Sequence, residues 1–214
     1  MTGGWPTGGA SAAAPWGIAV LGVGNPDRGD DGVGPAVVAA LAGRLPADVA
    51  LAVLDAEPSR LMDAWFPAGL VLVVDAAAPS PDGGVPSGTV CILEIDAADP
   101  AGPRPGSAVA GPQRSPGSPP LPELAVSSHG SGVGTAVALA GVLGRLPRRL
   151  VIVAVTGATF DLGAPMSESV RAAVPLAADT VIAAVRRGHP TTTARPPPVS
   201  PVMPGAAVAP FQCS

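Results

Sequence analysis

The chain has 214 residues, of which 13% are charged, and its formal net charge is -4. That length suits one domain with tails, and so sparse and slightly acidic a charge offers no basic surface for nucleic acid or an anionic membrane. Gly and Pro number 28 each and cluster outside the apolar segments, which marks tails and an insertion rather than a second domain.

Residues 1–16, MTGGWPTGGASAAAPW, lack the basic start and apolar stretch of a secretory signal and read as a disordered leader. The next segment, GIAVLGVGNPDRGDDGVGP (Gly17 to Pro35), contains a short apolar run, Ile18 to Val23, that suits a buried strand. Gly22 and Gly24 then allow a tight loop, and Pro35 suits a first helical turn ahead of VVAALAGRL. The loop holds Asp27, Arg28, Asp30 and Asp31, at the end of a strand where open α/β sheets place their ligands. A dinucleotide fingerprint fails there, because its third glycine is replaced by Asp27 and the neighbouring acids would repel a pyrophosphate. The chain contains no lysine, which excludes a P-loop. Capping of the helix by Asp30 or Asp31 is the plainer reading.

The first helix is expected to end near Leu45-Pro46, before a second strand over Ala50 to Asp55. Pro58 starts a short helix whose Leu61, Met62, Trp65 and Phe66 form a core face. Leu70 to Val74 reads as a third strand covered on both faces and ending on Asp75, a residue that suits either a turn or a ligand crevice. Thr89 to Ile95 forms a fourth strand, antiparallel because no helix precedes it, and a candidate sheet edge. Cys91 falls within it as a core residue, whereas Cys213 belongs to the tail; the pair makes no disulfide framework, consistent with a reducing, cytoplasmic setting.

From Asp96 to Pro122 the composition predicts a mobile surface insertion. Val133, Ala136, Val137, Ala140, Val142 and Leu143 follow helical spacing, and His129 stands just before them among Ser127, Ser128 and Gly130. His129 suits a cap, a surface position or a functional site, and His189 belongs to the tail. Leu150 to Val155 is a fifth buried strand, followed by a helix capped by Ser167, with Val170, Val174, Ala177, Val181, Ile182 and Val185 on one face and Pro175 expected to kink or break it. Residues 189–214 read as a disordered tail.

Asp31, Asp75 and His129 therefore converge as candidates, and two carboxylates with an imidazole suit a divalent transition metal or acid/base hydrolysis. No H-E-x-x-H helix, G-x-S-x-G elbow or Cys/His pair is present.

In GVGNPDRGDDGVGPAVVAAL, LDAEPSRLMDAW, VLVVDAAAPSPDGGVPSGTV, SSHGSGVGTAVALAGVLGRLP and GATFDLGAPMSESV, over about Gly17 to Gly188, the sequence closely resembles the hydrogenase maturation endopeptidases. Its Arg-Gly-Asp-Asp form looks most like proteases serving cytosolic, cofactor-reducing hydrogenases. The resemblance implies a three-layer α/β/α sandwich around a mainly parallel five-stranded sheet, with residues 17–188 as the protease domain. It implies removal of a C-terminal peptide from the large-subunit precursor of a nickel-iron hydrogenase by a cytoplasmic monomer without a permanently bound cofactor. Nickel in that substrate would be contacted by Asp31, Asp75 and His129, with Asp30, Asn25 and Arg28 positioning substrate. Many relatives carry Glu at the position of Asp31, one methylene longer. The alternatives are a non-catalytic nickel or precursor-binding assembly chaperone, and a nucleotide-binding module with Asp55 as the ribose-binding acid.

Overall fold

The structure is a computed structural model describing residues 17–65, 68–79, 84–97, 104–105 and 132–188. Its sheet has the order β2-β1-β3-β6-β4-β5, formed by β1 (Gly17–Val23), β2 (Val49–Leu54), β3 (Ala68–Ala77), β4 (Val90–Asp96), β5 (Arg104–Pro105) and β6 (Arg149–Thr156). β1, β2, β3 and β6 are parallel, as unbroken apolar strands buried on both faces should be. β4 is antiparallel, and its partner is β6 rather than the preceding β3. Nor is β4 the edge: Arg104–Pro105, inside the stretch expected to be a mobile surface insertion, pairs antiparallel with Leu93 and Glu94.

Alternation along the strands sends successive side chains to opposite faces, and each face is roofed by two helices. On one face Ile18, Val20, Leu72, Val74 and Val153 pack with α1 (Val33–Leu41) and α4 (Glu168–Gly188). On the other, Ala19, Leu21, Val71, Val73 and Ile152 pack with α2 (Pro58–Trp65) and α3 (Val133–Val142). This is the expected three-layer α/β/α sandwich, with a two-residue strand added to the five long ones.

α1 stops at Leu41, short of Leu45, because Gly43 takes φ +73° and turns the chain out of the helix. α2 begins at Pro58 as expected, and the Glu57 carboxylate caps it by accepting from the Ser59 and Arg60 N–H groups at 3.2 and 2.9 Å. Trp65 is fully buried; Phe66 lies outside the described residues. In α3, Val133, Ala136 and Ala140 are buried, but Val142 is 86% exposed. It lies two residues beyond Ala140, about 200° around the helix and so on its far side.

α4 buries the expected face, with Val174 only partly covered, and continues through Pro175. That ring is exposed, so the carbonyl it leaves without a partner can meet water. Cys91 is buried in β4, while Cys213, His189 and the leader and tail fall outside the described residues. No described helix is long and apolar enough to cross a membrane.

Candidate active site

The C-terminal ends of the parallel strands open into a crevice of about 610 Å³ lined by Arg28, Asp31, Asp75, Gly132, Phe160 and Asp161, among others. After β1, Gly24 turns at φ +127° and η1, a one-turn 3₁₀ helix over Gly29–Gly32, presents two adjacent acids. A residue added at 120° sends their side chains apart. Asp31 reaches the crevice, where its Oδ2 accepts the Asn25 N–H at 2.7 Å. Asp30 turns inward and is fully buried.

Both oxygens of Asp30 are occupied. Oδ2 accepts from the Ala158 and Thr159 N–H groups at 2.7 and 3.1 Å and from the Ser167 hydroxyl at 3.0 Å; Oδ1 accepts the Ser167 N–H at 2.7 Å. Burial alone would raise its pKa, but the bonds from Ala158, Ser167 and Thr159 outweigh it and hold the carboxyl below the ordinary value. With no face of its carboxylate open, Asp30 does not reach the crevice itself. Asn25 does not line the crevice either: its Oδ1 accepts the Asp27 N–H at 2.9 Å and its own N–H holds Asp31. Arg28 does line it, and is exposed.

Asp75 lies inside β3, not at its end, because Ala76 and Ala77 continue the pairing with β6. By alternation it extends the Val71, Val73 row, on the sheet face that α3 covers. It is 6% exposed and its Oδ1 accepts the Ala76 N–H at 2.9 Å. Burial pushes its pKa up to about 7; the Ala76 bond opposes the rise and the charge of Asp31 adds to it. A carboxyl whose pKa is raised by burial and a like charge, in a crevice, is a candidate functional group.

His129 lies outside the described residues. Among the described residues no three His, Cys, Asp or Glu side chains come together in a way that could hold a metal ion. Thr159, Phe160 and Asp161, which line the crevice along with Asp31, were missed by sequence reasoning. Their position after β6, a central strand, was the signal that could have found them. Asp55, the acid a nucleotide-binding module would have used, is exposed and pairs with Arg60 at 3.0 Å.

Solved structures with a similar fold include the hydrogenase maturating endopeptidase HybD from E. coli, at 21% identity and a TM-score of 0.58, covering 79% of this chain and 92% of that one. The NiFe hydrogenase maturation protease HybD from Thermococcus kodakarensis is 20% identical, with a TM-score of 0.52 over 77% of this chain and 95% of its own. The chain has the hydrogenase maturation endopeptidase fold. A hydrogenase 2 maturation peptidase from a Thaumarchaeota archaeon shares this maturation-protease fold, at 22% identity and a TM-score of 0.51, covering 78% of this chain and 97% of its own. No family model and no curated protein sequence matches the chain.

Proposed function

We propose that this protein is an endopeptidase that removes the C-terminal extension of a nickel-iron hydrogenase large-subunit precursor after nickel has been inserted. The observation that carries the reading is the pairing of Asp31 with a buried, near-neutral Asp75 in one crevice of a maturation-protease fold. Nickel is the substrate's own cargo, and no resident cofactor is required. Arriving in the crevice, the cation would displace the proton that Asp75 holds and relieve the repulsion from Asp31. A nickel-free precursor would offer no such exchange, which makes the acid pair a check on metal loading.

His129 completes the proposed ligand set. In sequence it precedes Gly132, a crevice-lining residue, by three positions. Arg28, with no ion pair among the described residues, is proposed to position the precursor chain. Hydrolysis then adds water to the scissile carbonyl, activated at the nickel or by a crevice carboxylate, and a proton passes to the departing amine. A cytoplasmic, monomeric enzyme belongs to the same proposal.

Intact-mass analysis of nickel-loaded and nickel-free precursors, before and after incubation with the purified protein, tests it. Loss of a C-terminal peptide from the loaded form alone is expected. Stable binding without cleavage would replace the endopeptidase with an assembly chaperone. Asp75→Asn and His129→Ala should each abolish processing; unimpaired cleavage by both would overturn the assignment of the ligands.

A further inference from the structure

The two adjacent acids of η1 have different surroundings, and the buried one ties η1 to the segment after β6, both of which contribute residues to the crevice. We propose that Asp30 is a positioning residue that fixes Asp31 at a set distance from the Phe160 and Asp161 wall, and does not touch substrate. The inference rests on the preceding reading only in taking this crevice as the reaction site.

Four donors from the segment after β6 and the entrance to α4 converge on the Asp30 carboxylate, which is fully buried. Main-chain bonds zip the same two segments together: Gly29 N–H to Ala164 O at 3.0 Å, Asp30 N–H to Thr159 O at 2.9 Å and Gly163 N–H to Asp27 O at 2.7 Å. The fit leaves no slack. A Cβ at Gly157 would lie 3.1 Å from Asp30 Cβ and 2.5 Å from the Phe160 ring, and one at Gly29 would lie 2.7 Å from Thr159 O. Asp31, the next residue, and Phe160 and Asp161, which directly follow the clamped Thr159, all line the crevice.

Only a carboxylate can satisfy this geometry. An ionised Asp accepts at both oxygens, whereas Asn would aim an NH₂ group at an N–H donor and leave a buried bond broken on one side. The entrance of α4 also carries the positive end of that helix, which favours a negative charge there. Asp30 therefore acts through Asp31: releasing the clamp lets η1 and the segment after β6 drift apart, and a misplacement of about 1 Å at a reacting centre can cost about 100-fold in rate.

The test compares Asp30→Asn with Val181→Ala, which trims a fully buried α4 side chain about 20 Å along the helix from the clamp. Amide hydrogen exchange at Asn25, whose N–H is held by Asp31, reads the position of Asp31 without any substrate. Asp30→Asn should speed that exchange and lower the single-turnover rate on nickel-loaded precursor about 10-fold or more, with half-saturation shifted less than about 3-fold. Val181→Ala should lower the melting temperature and do neither. Ser167→Ala, which removes one of the four donors, should give a smaller effect in the same direction, and serves if Asp30→Asn does not fold.

A wild-type rate and unchanged Asn25 exchange in Asp30→Asn, measured below its melting temperature, would overturn the inference; so would equal losses in Val181→Ala. If the wild-type protein leaves every precursor intact, the endopeptidase reading fails. The exchange comparison still decides whether Asp30 holds Asp31.

Discussion

Asp75 carries a cost that a purely structural residue would not. Its carboxyl sits at about 7 in the folded protein against an ordinary 3.8, so between those values the folded state holds a proton that the unfolded chain releases. Its contribution to stability is therefore fully present below pH ~3.8, declines as pH rises, and is lost above about 7, where the buried group must ionise. Asp75→Asn removes that dependence and keeps an oxygen for the Ala76 N–H. The variant is expected to melt at least ~3 °C above wild type at pH 8, with a smaller gain at pH 5, while losing the proposed processing activity. Thermal melts at the two pH values check it; a gain equal at both would mean that the carboxyl is not held near neutrality.

At the scale of elements, the site depends on how closely α1 lies on the sheet. Gly34, in its first turn, has no room for a methyl group: a Cβ there would meet the Val23 backbone and stand 2.7 Å from Val74 O. A Cβ at Gly22 in β1 would likewise stand 2.7 Å from the Gly34 carbonyl carbon and from Val38 Cγ2. Backbone atoms cannot swing aside, so Gly34→Ala should cost roughly 3 kcal/mol in urea unfolding by forcing α1 off the strands. The Arg44–Asp179 pair joins the turn after α1 to α4 at 2.7 Å, but its side chains are 46% and 66% exposed. Asp179→Ala should cost less than ~1 kcal/mol in the same experiment. Close packing, not the surface ion pair, holds the two helices over the sheet.

At the scale of the whole molecule, both core layers run, among the described residues, from Ile18 to Val185. A chain limited to residues 17–188 is expected to unfold at the same urea midpoint as the full chain, within error. A large drop would show that the segments outside contribute to the core. The crevice follows from the topology: β1, β3 and β6 are adjacent and parallel, so the segments leaving them meet at one end of the sheet. Residues distant in sequence, Asp31, Asp75 and Asp161, are gathered there because the strands that carry them point the same way.

Much of this was legible in the sequence. Strands buried on both faces have to be unbroken apolar runs, and Ile18 to Val23, Leu70 to Val74 and Leu150 to Val155 read as such because water is excluded from both sides. Pro58 and Ser167 marked helix starts through local chemistry that needs no distant partner. What sequence could not separate was Asp30 from Asp31, two identical side chains on one turn. Only the approach of the segment after β6 decides which is clamped and which faces the crevice. For the same reason Val142, apolar and in helical spacing, proved exposed, and β4 paired with β6 instead of its neighbour in the chain. Local pattern fixes what each segment can be; which faces meet depends on contacts between residues far apart in the chain, and those form only when the sheet is assembled.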